Sequence, residues 1–183
     1  MGYGAALNKA WDELTQLNFG KDITVKFLSD AYSIDLDNRK VMSLSCNIPA
    51  KDWAVILILH YLDKRARGLP HLTGDWVSFK ELEAGEIYYP AFRKRAIEPL
   101  LKKYGKNPDG LLQVLDRLPA KKAKEGDAGI SLEIFPGVPA LIILWRGDDE
   151  FGPEANMLFD RSIAKIFCTE DIAVLAGFIA AEV

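Results

Sequence analysis

Residues 132–160 place the tightest constraint on how this chain can fold. Two apolar runs, 132–135 and 140–145, flank Pro136-Gly137-Val138-Pro139, and a third apolar segment follows an acidic loop. Proline fixes φ and glycine permits positive φ, so the separator is a turn between two strands. The run 140–145 is continuously apolar, which is typical of a strand buried on both faces. The stretch therefore predicts two strands joined by a turn, followed by a loop.

The loop 146–153 is the most distinctive polar segment of the sequence. Asp148, Asp149 and Glu150 are adjacent and repel one another, so some feature should offset their charge. One interpretation is a solvated turn, since runs of charge usually face water. A second is a metal or cationic-ligand site, because Mg²⁺ and Ca²⁺ bind carboxylate oxygens. A third is structural pairing of these acids with Arg146 or a distant lysine.

Two family resemblances involve this loop. The segment Gly147-Asp148-Asp149-Glu150-Phe151 resembles the GGDEF signature of diguanylate cyclases. It differs at Asp148, where that family has a glycine that lets the backbone approach the nucleotide. An upstream metal-binding strand of the usual form is also not found in the sequence. No residue role is therefore transferred from that family.

The second resemblance covers most of the chain. It is carried by Gly74-Asp75-Trp76 with Phe79 and Glu81, Gly126-Asp127-Ala128, Phe135-Pro136-Gly137-Val138-Pro139, Trp145 with 147–151, Leu158-Phe159-Asp160, and Thr169-Glu170-Asp171. These segments resemble an uncharacterised prokaryotic domain-of-unknown-function family of anaerobic bacteria and archaea. Some members of that family are fused to a four-cysteine iron–sulfur module, which this sequence lacks. The resemblance implies a link to anaerobic metabolism but supplies no mechanism.

Hydrophobic periodicity predicts an α+β fold. We expect one globular domain, 1–183, with a mainly antiparallel sheet of about five strands covered by helices and one buried central helix. The predicted strands are 23–28, 31–36, 41–46, 128–135 and 140–145. The predicted helices are 3–17, 50–66, 90–104, 107–118, 161–167 and one beginning at Thr169, which is expected to cap it. The segment 50–66 is apolar nearly all round and is the expected central helix, whereas 119–126 is expected to be a lysine-rich loop.

Composition excludes several classes of protein. The net charge of −3 and the pI of about 5.5 argue against a dedicated nucleic-acid binder, which is usually basic. Two Cys and two His without a Cys-x-x-Cys pair argue against a closed zinc site. The longest apolar run in a helix is too short to span a membrane, and no signal peptide is recognisable, so a cytoplasmic location is expected. Cys46 and Cys168 are predicted to be buried, reduced thiols.

Charge is distributed unevenly along the chain. Residues 89–124 contain ten Lys and Arg against three Asp and Glu, a net of +7, whereas residues 125–183 carry a net of −8. The two regions could neutralise each other. Alternatively, the basic region could bind a small anionic molecule or an acidic protein partner. The side chains expected to do so are Arg93, Lys94, Arg95, Lys102 and Lys103.

The loop 68–76 is the second candidate site. His71 and Asp75 could act as a base and the carboxylate that orients it, although no nucleophile lies nearby in sequence. The alternative is a structural loop anchored by Trp76. His60 belongs to the predicted central helix, where a histidine with a satisfied hydrogen bond is more common than a metal ligand.

The sequence leads to two functional expectations. The first is a small-ligand or partner-binding domain linked to anaerobic metabolism, the link resting on the resemblance alone. Its ligand site would lie between the loops 68–76 and 146–153. The residues expected to form it are His71, Asp75, Trp76, Trp145, Asp148, Asp149 and Glu150. The alternative is a metal-dependent nucleotide or phosphoryl-transfer enzyme that binds Mg²⁺ through the three acids, but no glycine-rich phosphate loop supports it. The sequence identifies no catalytic residue and no cofactor.

Overall fold

The computed structural model describes residues 4–17, 19–20 and 22–183, which form an α+β fold with two antiparallel sheets. The strands are β1 Ile23–Phe27, β2 Asp30–Asp35, β3 Lys40–Ser43, β4 Trp76–Ser78, β5 Ala120–Ala123, β6 Ala128–Phe135, β7 Val138–Trp145 and β8 Glu154–Asp160. The α-helices are α1 Gly4–Thr15, α2 Asp52–Arg67, α3 Gly85–Phe92, α4 Glu98–Tyr104 and α5 Thr169–Glu182. A π-helical turn, Arg93–Ile97, joins α3 to α4, and 3₁₀-helices occupy Phe79–Glu81, Pro108–Asp116 and Arg161–Lys165. The predicted fold class, including a five-stranded sheet, is confirmed.

The membership of the sheets differs from the sequence-based prediction. The first three predicted strands form a separate sheet in the order β1-β2-β3, and the other two pair within a five-stranded sheet of order β4-β8-β7-β6-β5. Periodicity identifies the buried face of a strand but not its partner, so it could not separate the two sheets. The predicted third strand was also too long, because β3 ends at Ser43 and residues 44–46 turn away.

The lysine-rich segment predicted as a loop contains a strand. β5 pairs with β6 at one edge of the five-stranded sheet and exposes Lys121 and Lys122. Because β5 is polar, its sequence does not show the apolar run or the alternation that indicates a strand. Lysine on an edge strand is common, since its charge discourages pairing with another chain.

Helix α2 is the buried central helix that the sequence predicted. Its residues 54–59, 61 and 62 are buried, and the Tyr61 hydroxyl donates a hydrogen bond to the Pro136 carbonyl at 2.9 Å. The ring of Phe135 stacks on Tyr61 at 4.5 Å and on Phe27 at 4.4 Å, and Leu28 N–H donates to Ile134 O at 2.7 Å. The two sheets therefore meet through aromatic packing and a backbone hydrogen bond.

Helices α3 and α4 form one continuous helical segment that contains a π turn. Glu98 N–H donates to Arg93 C=O, five residues back, which adds one residue to that turn. Pro99 has no N–H to offer the carbonyl of Arg95, so a regular α-helical ladder is interrupted there in any case. An apolar stripe at spacings of four is buried along this helical segment. Its residues are Phe92, Ala96, Leu100 and Tyr104.

The C-terminal elements follow the predicted order with two corrections. Asp160 caps the helix Arg161–Lys165 by accepting from Ser162 N–H at 2.9 Å. Thr169 does not cap α5: Cys168 is the N-cap, and the Thr169 hydroxyl donates to Glu83 O at 2.6 Å. Cys46 and Cys168 are both free but exposed, so their predicted burial was wrong. No helix in the described ranges combines the length and apolarity needed to cross a membrane.

Candidate functional site

The two loops predicted to share a site lie at opposite ends of β8. Trp76, at the end of the loop 68–76, is paired with Asp160, whereas Trp145, before the loop 146–153, is paired with Glu154. Residues of a strand rise about 3.3 Å each, so the two ends of β8 are about 20 Å apart. The predicted site between the loops is therefore not formed as one cleft.

The acidic loop is organised by hydrogen bonds within itself. The Asp148 carboxylate accepts from the N–H groups of Phe151 at 2.7 Å and Glu150 at 2.9 Å, and these bonds lower the pKa of Asp148. Asp148 N–H donates to Phe151 O at 2.8 Å, closing a tight turn. Arg146 pairs with Asp109 rather than with the three acids.

The structure does not assemble the three acids as a metal site. No group of three or more His, Cys, Asp or Glu side chains in the described ranges is arranged to hold a metal ion. Asp148 is occupied by its own turn, and Asp149 and Glu150 are exposed. The geometry therefore favours the first interpretation, a solvated turn, which Asp148 closes through its own hydrogen bonds, and no observation supports the enzyme that the loop suggested.

The loop 68–76 is held by a buried carboxylate that sequence reasoning did not select for this role. Asp160 is 3% exposed and accepts from Thr73 N–H and hydroxyl at 3.1 Å and from Gly74 N–H at 2.7 Å. Burial alone would raise the pKa of Asp160. Hydrogen bonds from Ser162, Thr73 and Gly74 outweigh it and lower the pKa to about 2. This network makes the loop part of the fold.

The predicted pair of His71 and Asp75 is not formed. The Asp75 carboxylate accepts from Arg161 Nε at 2.6 Å, and Arg161 N–H donates to Asp75 O at 2.9 Å. His71 is exposed and makes no hydrogen bond with the described residues. Trp76 is 36% exposed at the start of β4. These contacts indicate a structural loop rather than a base and its orienting carboxylate.

A groove of about 570 Å³ brings together residues that the sequence analysis had considered separately. One wall is formed by the end of β7 and the start of β8, including Trp145 and Ala155. The other is formed by the helical segment α3–π–α4 through Tyr89, Arg93, Ile97 and Leu101. We call it the β8 groove. Its volume falls within the range of ligand-binding clefts, roughly 300–1,000 Å³.

The π turn aligns the helical wall of the β8 groove. Each residue of an α-helix turns about 100°, so in a uniform helix Leu101 would lie about 120° around the axis from Tyr89. The extra residue of the π turn removes about 100° of that difference. Tyr89, Arg93, Ile97 and Leu101 can therefore face one groove although they are spaced by four.

The groove is rich in cations and aromatic rings. Lys80 Nζ lies 4.4 Å from the centre of the Tyr89 ring, and Trp145 is 37% exposed. Among the described residues Arg93 has no acidic partner, and the same is true of Lys94, Arg95 and Lys102. Lys103 donates to Val183 O at 2.7 Å. Among the described residues no Lys or Arg of the segment 89–124 forms an ion pair with an Asp or Glu of the segment 125–183, and the pair between Asp109 and Arg146 joins the two segments with the charges reversed.

A second cavity, of about 380 Å³, lies where α2 meets the start of α5. His60 Nδ1 is 2.7 Å from Asp171 Oδ2, so His60 has the satisfied hydrogen bond that the sequence analysis favoured. Cys168 lines the same cavity, and although the residue is exposed, partial desolvation of its thiol together with the Asp171 carboxylate raises the pKa of the thiol. A nucleophilic cysteine needs a lowered pKa, so this arrangement does not activate Cys168.

Sequence reasoning missed Lys80, Tyr89 and β8 as parts of a site. The spacing of four in the stripe from Phe92 to Tyr104 was the available signal, because it exceeds the α-helical repeat and indicates a wider turn. The capping box of Ser78 and Glu81 is a second local signal, because it starts a helical turn and so ends β4 at Ser78. Neither signal shows which strand the helix faces.

Together, the fold and the groove define an α+β domain with a cationic, aromatic cleft between a strand and a helical segment. A family model described as a domain of unknown function (DUF3786) matches residues 13–182. The chain belongs to this family. No curated protein and no solved structure matches it.

Proposed function

We propose that this chain is a binding domain that takes an anionic ligand in the β8 groove. The observation that carries the proposal is the position of Arg93, a guanidinium without an acidic partner in the described structure, on the wall of a cleft that also contains Trp145 and Tyr89. The link to anaerobic metabolism within this proposal rests on the family resemblance alone.

The charges of the groove support an anionic ligand. Arg93 and Lys80 contribute two cations to its lining, against one carboxylate, Glu154. A guanidinium offers donors in a planar fork that matches carboxylate or phosphate oxygens. A partly enclosed site strengthens that attraction relative to open water. Arg93 is therefore the residue on which we expect affinity to depend.

The aromatic rings support a ligand that is more than a simple ion. Tyr89 is half-buried and Trp145 is partly exposed, so both have ring surface available for contact. Ile97 and Leu101 add apolar area to the helical wall. Pockets of this kind bind through apolar contact, and a few polar groups fix the orientation of the ligand.

The test is thermal unfolding of the purified protein with a panel of anions: inorganic phosphate, dicarboxylates, aromatic carboxylates and nucleoside monophosphates. A ligand present at about a hundred times its Kd should add about 2.7 kcal/mol to the free energy of unfolding. We expect Arg93→Gln to abolish the rise in Tm. Lys122→Gln, which removes a charge from the opposite edge of the sheet, should retain it. A rise of equal size in both variants, or no rise with any anion, would contradict the proposal.

A further inference from the structure

One face of the five-stranded sheet supplies polar side chains to the β8 groove. Side chains alternate along a strand, so Glu154 and Asn156 of β8 point to the same face. Trp145 of β7 is directly opposite Glu154, and the Cβ atoms of such a pair are about 5 Å apart on a shared face. All three residues line the groove. A carboxylate, an amide and an indole ring therefore lie side by side on its strand wall.

The two polar groups of the strand wall are available to a ligand. Glu154 is exposed, and its carboxylate forms no ion pair with any described residue. Asn156 Oδ1 accepts from Met157 N–H at 2.9 Å, which turns the NH₂ group of the same amide toward other partners. The strand wall therefore offers a hydrogen-bond acceptor beside a hydrogen-bond donor.

The helical wall of the groove is cationic. Arg93 has no acidic partner among the described residues, and Lys80 Nζ lies 4.4 Å from the centre of the Tyr89 ring. Arg93 and Glu154 both line the groove but form no ion pair with each other. A ligand that satisfies both walls needs an anionic group at one end and N–H donors at the other.

We propose that the β8 groove binds a guanine nucleotide. Its phosphate would lie against Arg93, its base would stack on Trp145, and the edge of the base would meet Glu154 and Asn156. This inference rests on the proposed function, because it names the anionic ligand of the same groove. Residues 147–151 do not line the groove, so the acidic loop takes no part in it.

The donors and acceptors of the strand wall match guanine better than other bases. Guanine carries two adjacent donors, N1–H and the N2 amino group, and a carboxylate can accept from both through its two oxygens. Guanine O6 is an acceptor beside them, where the NH₂ group of Asn156 can donate. Adenine presents one donor next to an acceptor, so it would use only one oxygen of Glu154.

The positions of the ring and the charges determine the orientation of the nucleotide. Trp145 is 37% exposed and lies beside Glu154, so a base stacked on the indole would present its edge to the carboxylate. The phosphate would then reach the planar donor fork of Arg93, with Lys80 as a second cation. The reverse orientation would bring the phosphate against the Glu154 carboxylate, where like charges repel.

The test is isothermal titration calorimetry of the full chain with guanosine, inosine and adenosine monophosphates and with ribose 5-phosphate. Inosine monophosphate lacks only the N2 amino group of the guanine nucleotide. We expect it and adenosine monophosphate to bind about tenfold more weakly, because a polar group built to pair loses its partner. Ribose 5-phosphate should bind at least as weakly, since it has no base to stack on Trp145.

The variant Glu154→Gln separates hydrogen bonding to the base from the effect of charge. Removing a carboxylate should by itself tighten the binding of every anion, and ribose 5-phosphate should show that effect or no change. Guanosine monophosphate should instead bind about tenfold more weakly, because an amide cannot accept from both of its donors. Glu150→Gln is the matched control, since Glu150 is also exposed but does not line the groove. It should keep the preference for guanine.

The outcomes distinguish this inference from the proposed function. Equal affinities for all four phosphates, or stabilisation by dicarboxylates without binding of any nucleotide, would overturn the inference and leave the anion site in place. A Glu154→Gln variant that binds guanosine monophosphate as tightly as the wild type would also overturn it. Guanosine monophosphate binding that is unchanged in Arg93→Gln would contradict the proposed function, and with it the position of the phosphate.

Discussion

His60 Nδ1 lies 2.7 Å from Asp171 Oδ2 and joins the buried helix α2 to the first turn of α5. Asp171 is 9% exposed, and because a carboxylate oxygen accepts, the contact is a hydrogen bond in the tautomer that has its proton on Nδ1. This contact bridges 111 positions of the chain. The hydrogen bond between His60 and Asp171 therefore holds the two helices together.

Replacing Asp171 by Ala should lower the free energy of unfolding by about 1–3 kcal/mol, because it leaves the His60 N–H without its partner. Urea unfolding measures the change. Glu170→Ala is the matched control, since Glu170 is also an acid in the first turn of α5 and shares its interaction with the helix dipole. Equal losses in both variants would mean that the dipole, and not His60, accounts for the effect.

Stability should fall in acid through Asp160. Its hydrogen bonds lower the pKa from 3.8 to about 2, so the stabilisation is fully present above the unfolded pKa and is lost as pH falls through the folded value. The contribution is about 2 kcal/mol at neutral pH. We expect the free energy of unfolding, measured between pH 6 and pH 2, to fall less steeply in Asp160→Asn. Parallel pH profiles for wild type and variant would contradict this assignment.

The acidic loop offers a direct comparison of neighbouring carboxylates. Asp148→Ala should lower Tm because two backbone N–H groups lose their acceptor, whereas Asp149→Ala should leave Tm nearly unchanged. We also expect Mg²⁺, Ca²⁺ and Mn²⁺ to leave Tm of the metal-stripped protein unchanged. A cation-dependent rise that disappears in both variants would instead show that the loop binds metal, as the sequence alone had suggested.

Gly85 sets the position of the helical wall of the groove. A Cβ there would lie 2.0 Å from the Phe79 carbonyl oxygen, so α3 could not pack against the preceding 3₁₀-helix. We expect Gly85→Ala to cost about 1–3 kcal/mol of unfolding free energy, as overpacking does. Gly152→Ala, at a position with nothing within 4 Å, should be nearly neutral. Similar stabilities for the two variants in urea would exclude this role for Gly85.

Much of the fold could be predicted because its strongest signals are local. The apolar run of α2 and the turn before β7 each depend on residues close together in sequence, and both are confirmed. β4, β5 and β8 were missed because they are short, polar or half-buried. β4 pairs only with β8, far away in the chain, whereas β5 and β8 pair with β6 and β7, their neighbours in sequence, so for those two the weak apolar pattern and not the distance hid the strand.

The candidate site also combines features that the local sequence determines with contacts that only the tertiary structure determines. The sequence alone determined the buried strand β7, the central helix and the basic segment around Arg93, because periodicity and charge are properties of the residues themselves. Tertiary structure alone decided that Trp145 faces Arg93 across a groove, that Asp75 pairs with Arg161, and that Lys80 lines the groove together with Arg93. These relationships depend on strand order, register and one extra residue in a helical turn. All three are set by packing between distant segments.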